Sequence, residues 1–294
     1  FGSEHLIAAP VDVLVVDEAG QLALADTLAA SLAANSVLLV GDPLQLAQVT
    51  QARHPNGSGA SVLDHVLAGE LTIPPSRGVF LAETYRMHPD VCRFISDQIY
   101  AGRLGSDASC KQQTTVAGTG LRWLRADHVG NSTSAPEEAD LIVAAIRELI
   151  GTTWVNQKGQ AEPLEAKNFM VVAPYNRQRR LIRDRLHEHP EIAEVPVGTV
   201  DKFQGKEAAV VFFSMTTSSG DLIVRGVDFL FSRNRLNVAI SRARCLAYLV
   251  CTEELLNTRA RDVDDMRLIS TLNAFVELAE RSNQETATGA LENH

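Results

Sequence analysis

The sequence has little of what marks several protein classes. It holds four cysteines, with no Cys-x-x-Cys pair and no histidine couple nearby, which excludes a disulfide framework and a zinc ribbon. No apolar run approaches the ~18 residues of a membrane-spanning helix, so no membrane partner is expected. The net charge of −9 shows that the chain is no polycation, although a local basic groove stays open. We predict reduced thiols and a cytoplasmic location.

What is present is typical of a soluble globular chain. Its 294 residues are 45% hydrophobic and 21% charged, which excludes disorder over the whole length and a fibrous repeat. The length suits one large domain or two ordinary ones. Because the chain opens at Phe1 without Met or a basic or apolar leader, we expect it to be a piece of a longer polypeptide.

Strand-like and helix-like segments alternate along the chain. Val11–Val16 and Ser36–Val40 are continuous apolar runs with a helical stretch between them, as in buried parallel strands joined by a crossover helix. A third run, Gly78–Leu81, predicts another strand. Further strands and helices are predicted later, with loops at 105–120 and 127–137: strands at Phe169–Ala173, Val197–Val200, Ala209–Ser214 and Ala247–Cys251, and helices at Glu138–Ile150, to about His187, and over 268–279.

Two polar turns follow the first two strands, where ligands bind in such sheets. Asp17 could hold Mg²⁺ and Glu18 could orient or deprotonate an attacking water. Gln45, after the second strand, could sense a terminal phosphate. The alternatives are a solvated acidic turn at Asp17-Glu18 and a simple Gly-Pro turn before Gln45.

Six short motifs occur in a fixed order. They are Asp17-Glu18-Ala19-Gly20-Gln21, Gly41-Asp42-Pro43-Leu44-Gln45-Leu46, Thr84-Tyr85-Arg86-Met87-His88-Pro89, Val172-Ala173-Pro174-Tyr175-Asn176-Arg177-Gln178, a run from Val197 to Glu207, and a run from Leu236 to Arg244. The series resembles motifs II through VI of superfamily 1 helicases. It is most similar to the branch with the nonsense-mediated-decay RNA helicase and the replication helicase–nuclease.

The resemblance implies an α/β fold of the P-loop NTPase superfamily, with RecA-like parallel sheets and flanking helices. Residues 1–85 would form the C-terminal part of a first RecA-like domain, and residues 86–281 a complete second one. Residues 282–294 would be a polar, disordered tail. ATP would bind in the cleft, and single-stranded nucleic acid would cross the top.

The resemblance also assigns roles. Asp17 and Glu18 would serve Mg²⁺ and the hydrolytic water, and Gln45 would couple the γ-phosphate to strand binding. Arg86 and Arg242 would approach the γ-phosphate; the alternative for each is an ordinary salt bridge. Arginine suits that task because it stays charged and offers a planar fork of donors. Tyr85 would lie beside the base or ribose, and Gly205 and Glu207 would link nucleotide to strand.

Basic segments give separate support for a strand-binding groove. Residues 171–190 carry five arginines against two acids, and residues 225–244 carry five against one. A solvated helix face remains an equal alternative for the first segment. Strand contacts are predicted at Pro174, Tyr175, Asn176, Arg177 and Thr199.

Two features depart from the family pattern. The phosphate-binding loop GxxxxGK[ST] is missing, since the Gly205-Lys206 pair is followed by Glu207. We therefore expect the loop to lie upstream in the same polypeptide, whose upstream part becomes a partner of this chain. Ala47-Gln48 stands where the branch carries proline, which leaves the shape of one strand-contacting turn open.

Two functions follow as hypotheses. The first is the C-terminal region of an ATP- and Mg²⁺-dependent helicase that moves 5′→3′ along a single strand, DNA ahead of RNA, and is inactive in this form. The second is a module that grips single strands or a partner without hydrolysis. The five residues Asp17, Glu18, Gln45, Arg86 and Arg242 favour the first, because a non-hydrolysing module has no need of them.

Overall fold

The computed structural model describes residues 4–46 and 59–291, which form two compact units, residues 1–80 and 81–294. The division comes five residues before the predicted boundary at 85. The reason is local pairing: strand β3 (Glu83–Thr84) lies parallel to β4 (Gly105–Ser106), and the Gly105 amide donates to the Ala82 carbonyl at 2.7 Å. This attaches the segment from Leu81 to the second unit.

The first unit contains one crossover of parallel strands. Its elements are α1 (Glu4–Ala8), β1 (Val11–Val16), α2 (Leu24–Ser31), β2 (Ala34–Leu39) and α3 (Val62–Leu67). Strands β1 and β2 pair in register from Val11 opposite Ala34 to Val16 opposite Leu39. The two predicted strands and the helix between them are confirmed. The strand predicted at Gly78–Leu81 is wrong: those residues form no strand, and Val79 is 83% exposed.

Apolar side chains of this small sheet are open to solvent. Val13 is 53% exposed, Val15 58% and Leu38 53%. Continuous apolar strands in parallel sheets are normally covered on both faces. The sheet therefore has apolar surface that this chain leaves uncovered.

The second unit contains the remaining elements. In chain order after β3 they are α4 (Pro89–Ile99), β4, β5 (Thr114–Thr115), β6 (Gly120–Arg125), α5 (Pro136–Leu149), β7 (Thr153–Val155), β8 (Ala161–Pro163), β9 (Phe169–Val172), α6 (Asn176–His187), β10 (Val197–Gly198), β11 (Ala208–Ser214), α7 (Val227–Leu230), α8 (Arg233–Ile240), β12 (Ala243–Cys251), α9 (Glu253–Leu256) and α10 (Val263–Leu291).

A five-stranded parallel sheet forms the core of the second unit, in the order β10-β9-β11-β12-β6. Helices α5 and α6 pack against each other and onto this sheet, and α4, α8 and α10 also contact its strands. Phe212 and Tyr248, opposite each other on β11 and β12, stack at 4.6 Å. The predicted parallel α/β fold is confirmed. All carboxyl ends lie at one edge and all amino ends at the other.

Some elements differ from the sequence-based expectation. The predicted loop 105–120 contains β4 and β5, and α4, β6 and α8 were not predicted. Helix α10 continues to Leu291 through most of the expected disordered tail, because a helix started by buried residues extends at little cost per polar residue. Ala47-Gln48 and residues 292–294 lie outside the described residues. Within those ranges no helix is both long and apolar enough to cross a membrane.

Candidate nucleotide and single-strand sites

Asp17 and Glu18 lie directly after β1 in the first unit. Both side chains are exposed, and the Asp17 Oδ1 accepts a hydrogen bond from the Glu18 amide at 2.9 Å. Glu18 has a φ of 53°, in the left-handed region that residues with a side chain rarely adopt. Such a conformation costs about 1–3 kcal/mol and is concentrated at functional sites. The turn thus holds two free carboxylates in a strained backbone.

Gln45 lies in the turn after β2. Its Nε2 donates to Asp42 Oδ2 at 3.0 Å, and the Leu44 amide donates to Asp42 Oδ1 at 3.0 Å. The two turns touch through glycines: a Cβ on Gly20 would lie 2.7 Å from the Asp42 carbonyl oxygen, and one on Gly41 would lie 2.8 Å from the Ala19 nitrogen. The structure thus brings the turns of Asp17, Glu18 and Gln45 to one strand edge.

Two arginines bind one carboxylate at the amino ends of β11 and β12 in the second unit. Arg86 Nε donates to Glu207 Oε2 at 2.7 Å, and Arg244 Nη2 donates to Glu207 Oε1. Burial, the largest influence, raises the pKa of Glu207, but hydrogen bonds and charge from Arg244 and Arg86 outweigh it and lower the pKa overall. Glu207 is therefore ionised at neutral pH, and the cluster carries a net positive charge.

Arg242 lies close by but is 3% exposed. Its Nε donates to the Val238 carbonyl at 3.1 Å and its Nη1 to the Lys206 carbonyl at 3.5 Å. Its own carbonyl accepts from the Ala208 amide at 3.0 Å. The guanidinium therefore ties the end of α8 to the segment that leads into β11.

An open cavity of about 460 Å³ lies beside this cluster. Three cations and one carboxylate line it with glycine and apolar side chains: Arg86, Lys167, Lys206 and Glu207, then Gly205, Phe169, Met170, Pro196 and Phe203. This excess of positive charge fits phosphate groups. Tyr85 is not among the lining residues, and its ring is 64% exposed. The pattern of motifs had not pointed to Lys167, which precedes β9 without any sequence signal.

The predicted strand-contact residues lie at the opposite edge of the same sheet. Pro174 and Tyr175 follow β9 and are buried, whereas Asn176 and Arg177 are exposed in the first turn of α6. Thr199 is half-buried after β10, which pairs with β9. The structure thus brings all five together, and leaves three of them accessible.

A buried polar network at this carboxyl edge was missed. Glu138 is fully buried; its Oε1 lies 3.2 Å from His128 Nε2, and its Oε2 accepts from the Ser214 hydroxyl at 2.5 Å. The Thr216 amide donates to both oxygens, at 2.9 and 2.8 Å. Burial raises the pKa of Glu138, while these hydrogen bonds oppose the rise. In sequence, Glu138 is an ordinary acid in a first helical turn, which explains why no pattern indicated it.

Comparisons with known proteins agree with the motif order. A family described as an AAA domain (AAA_12) matches residues 60–254. The DNA polymerase alpha-associated DNA helicase A of Schizosaccharomyces pombe is 31% identical over 260 residues, 83% of this chain and 37% of that protein. The DNA replication ATP-dependent helicase/nuclease JHS1 of Arabidopsis thaliana is 28% identical over 284 residues, 87% of this chain and 20% of that protein.

This chain thus spans well under half the length of these relatives. The solved PRRSV helicase, 16% identical with a TM-score of 0.43, covers 86% of this chain and 38% of that chain, a likeness too low to add to the assignment. The family match covers about two thirds of the sequence and includes four of the six motifs. The chain belongs to the AAA_12 family of AAA domains, within the C-terminal region of superfamily 1 helicases.

Proposed function

We propose that this chain is the C-terminal helicase region of an ATP-dependent translocase that moves 5′→3′ along a single strand, DNA ahead of RNA. One observation carries the proposal: Arg86 is fixed by Glu207 at the rim of a cavity that also presents Lys167 and Lys206. Phosphoryl transfer needs fixed positive charge far more than covalent chemistry. The named helicase relatives support the same activity.

Each side chain has a proposed task in the second unit. Arg86 would contact the γ-phosphate, because its guanidinium is part-exposed and Glu207 holds it through Nε. Arg242 would act through position, since its guanidinium holds the carbonyl of Lys206 next to the cavity. Gly205 would let the backbone approach the nucleotide closely, and Tyr85 would contact the base or ribose with its exposed ring.

The first unit would supply the hydrolytic groups. Asp17 would hold Mg²⁺, and Glu18 would orient and deprotonate the attacking water, since both carboxylates are exposed after β1. Gln45 would respond to the γ-phosphate, with Asp42 fixing its amide. When bound, Mg²⁺ neutralises charge on the phosphates.

We further propose that the phosphate-binding loop comes from sequence outside these residues, upstream in the same polypeptide. The 294 residues contain no GxxxxGK[ST]. The uncovered apolar residues of the first unit, such as Val13 and Val15, support additional strands beside β1 and β2. In this view the chain alone does not hydrolyse ATP.

The test is Arg86→Ala in the longer polypeptide that carries the loop. Turnover should fall by about 10³-fold or more, as for other arginines that contact the γ-phosphate, while nucleotide binding changes little. Arg147→Ala is the matched control, because Arg147 also pairs with a glutamate, Glu191 at 3.1 Å, on the surface. Turnover within threefold of the unmodified enzyme would contradict the role of Arg86.

A second function is favoured by the missing loop: a module that grips single strands or a protein partner without hydrolysis. The accessible side chains of Asn176, Arg177 and Thr199 support strand contact in either case. Strand binding by the longer polypeptide with no ATP hydrolysis would decide for this alternative.

A further inference from the structure

Two arginines in the second unit lie against one aromatic ring. The guanidinium carbon of Arg225 is 4.0 Å from the centroid of the Phe229 ring, and that of Arg235 is 4.5 Å from it. The Tyr175 ring lies 5.8 Å from that of Phe229, inclined by 36°. We call these four residues the Arg–Phe cluster.

The two arginines of the Arg–Phe cluster differ in their partners. Arg235 Nη1 lies 3.9 Å from Asp201 Oδ2, which balances part of its charge. Arg225 is exposed, and among residues 4–46 and 59–291 no carboxylate lies within 4.0 Å of its guanidinium. A guanidinium packed on a ring keeps its N–H groups at the edge, where they can still donate. Arg225 is thus an oriented cation without an acidic partner.

The Arg–Phe cluster adjoins the carboxyl edge where the strand contacts are proposed. Tyr175 directly follows β9 and precedes Asn176, and Asp201 follows Thr199 after β10. Burial raises the pKa of the Tyr175 hydroxyl, and a hydrogen bond with Thr217 and the charge of Arg225 act against that rise. The charge of Arg225 therefore reaches the buried tyrosine at this edge.

We infer that Arg225 binds a phosphate of the single strand and that Phe229 positions its guanidinium for this contact. The inference rests on the proposed function, because that function places a strand at this edge. Guanidinium forms paired hydrogen bonds with phosphate oxygens, and an orientation fixed in advance reduces the entropy lost on binding. Phe229 acts through the arginine, since two guanidinium groups already occupy its surroundings.

The salt dependence of strand binding tests the contact. Fluorescence anisotropy of the 294-residue chain with a labelled oligothymidylate of about 16 nucleotides, over a range of KCl, gives the slope of log K against log salt. Arg225→Ala should make the slope shallower by about 0.7, the value for one phosphate of a single strand, and weaken binding about three- to tenfold at low salt. Arg225→Lys should keep the slope.

A matched control separates this contact from general charge. Arg93→Ala removes an arginine on α4 whose side chain is 75% exposed, and it should leave the slope unchanged. Phe229→Leu keeps every charge but should weaken binding, whereas Phe229→Tyr keeps the ring and should bind like the unmodified chain. Circular dichroism checks that all variants fold.

The outcomes distinguish the two levels of the argument. If the unmodified chain binds no strand, the proposed function is overturned and this inference with it. If it binds and Arg225→Ala has the same slope, only the inference is overturned. Equal binding by Phe229→Leu and the unmodified chain would refute the positioning role of Phe229.

Discussion

Glu138 offers the sharpest test of the packing in the second unit. Replacement by alanine leaves three buried donors without their acceptor: the Ser214 hydroxyl, the Thr216 amide and His128 Nε2. Each such group costs about 1–3 kcal/mol, and breaking a buried pair costs about 3–5 kcal/mol as a whole. We expect Glu138→Ala to lower the free energy of unfolding by about 3–5 kcal/mol, a large part of a usual total of about 5–15 kcal/mol.

Urea unfolding followed by tryptophan fluorescence measures this loss. The chain has two tryptophans, Trp123 and Trp154, and both lie in the second unit, so the signal reports that unit alone. With a slope of about 2–3 kcal/mol per molar urea, the midpoint should fall by about 1–2 M. Glu137→Ala is the control, since Glu137 is exposed and bonds only to the Asn131 side chain, at 2.9 Å. Equal midpoints for the two variants would refute the reasoning.

The same carboxyl predicts a direction with pH. Burial holds the folded-state pKa of Glu138 above its ordinary value of 4.5. A group with a raised folded pKa contributes its full stability below the unfolded pKa, and loses it as the pH rises through the folded value. Glu138→Gln cannot ionise and keeps most contacts, so its deficit against the unmodified chain should narrow from about pH 4.5 upward. A deficit that widens over this range would contradict the shift.

Two further predictions concern the core. All four cysteines are free and buried, and burial raises the pKa of Cys92 to about 11 and that of Cys245 to about 12, so no thiol should react with DTNB at pH 8 until guanidinium chloride exposes all four; rapid reaction of the native chain would contradict this. Phe275 on α10 is fully buried edge-on against Phe94 at 5.3 Å, and Phe275→Ala should cost about 3–5 kcal/mol in the tryptophan-detected unfolding, whereas a loss below about 1 kcal/mol would mean that α10 does not pack there.

Continuous apolar runs predicted the buried strands because these strands have neighbours on both sides. Val11–Val16 and the strand beginning at Phe169 are such cases. Strand β6, Gly120–Arg125, is an edge strand that pairs only with β12, and its alternating arginines resemble a loop. Gly78–Leu81 has the opposite problem: it is apolar, yet no strand among the described residues pairs with it. Local pattern reports burial, whereas pairing depends on tertiary structure.

The candidate site divides in the same way. The order of motifs identified Asp17, Glu18 and Arg86, because residue type and spacing carry that signal. The contacts of Glu207 could not be predicted, since its two arginines are 121 and 37 residues away in sequence. Glu138 and Arg225 had no signal at all, because each acquires its role from side chains that only the fold brings near.

Strand-stimulated ATP hydrolysis tests the central proposal most directly. The measurement compares the 294-residue chain with the longer polypeptide that carries the phosphate-binding loop, each with and without single-stranded DNA and each with a Glu18→Gln control. We predict no turnover by the chain alone, stimulated turnover by the longer polypeptide, and loss of that turnover in Glu18→Gln. Unchanged turnover in Glu18→Gln, or none in the longer polypeptide, would contradict the assignment of this chain to a helicase motor.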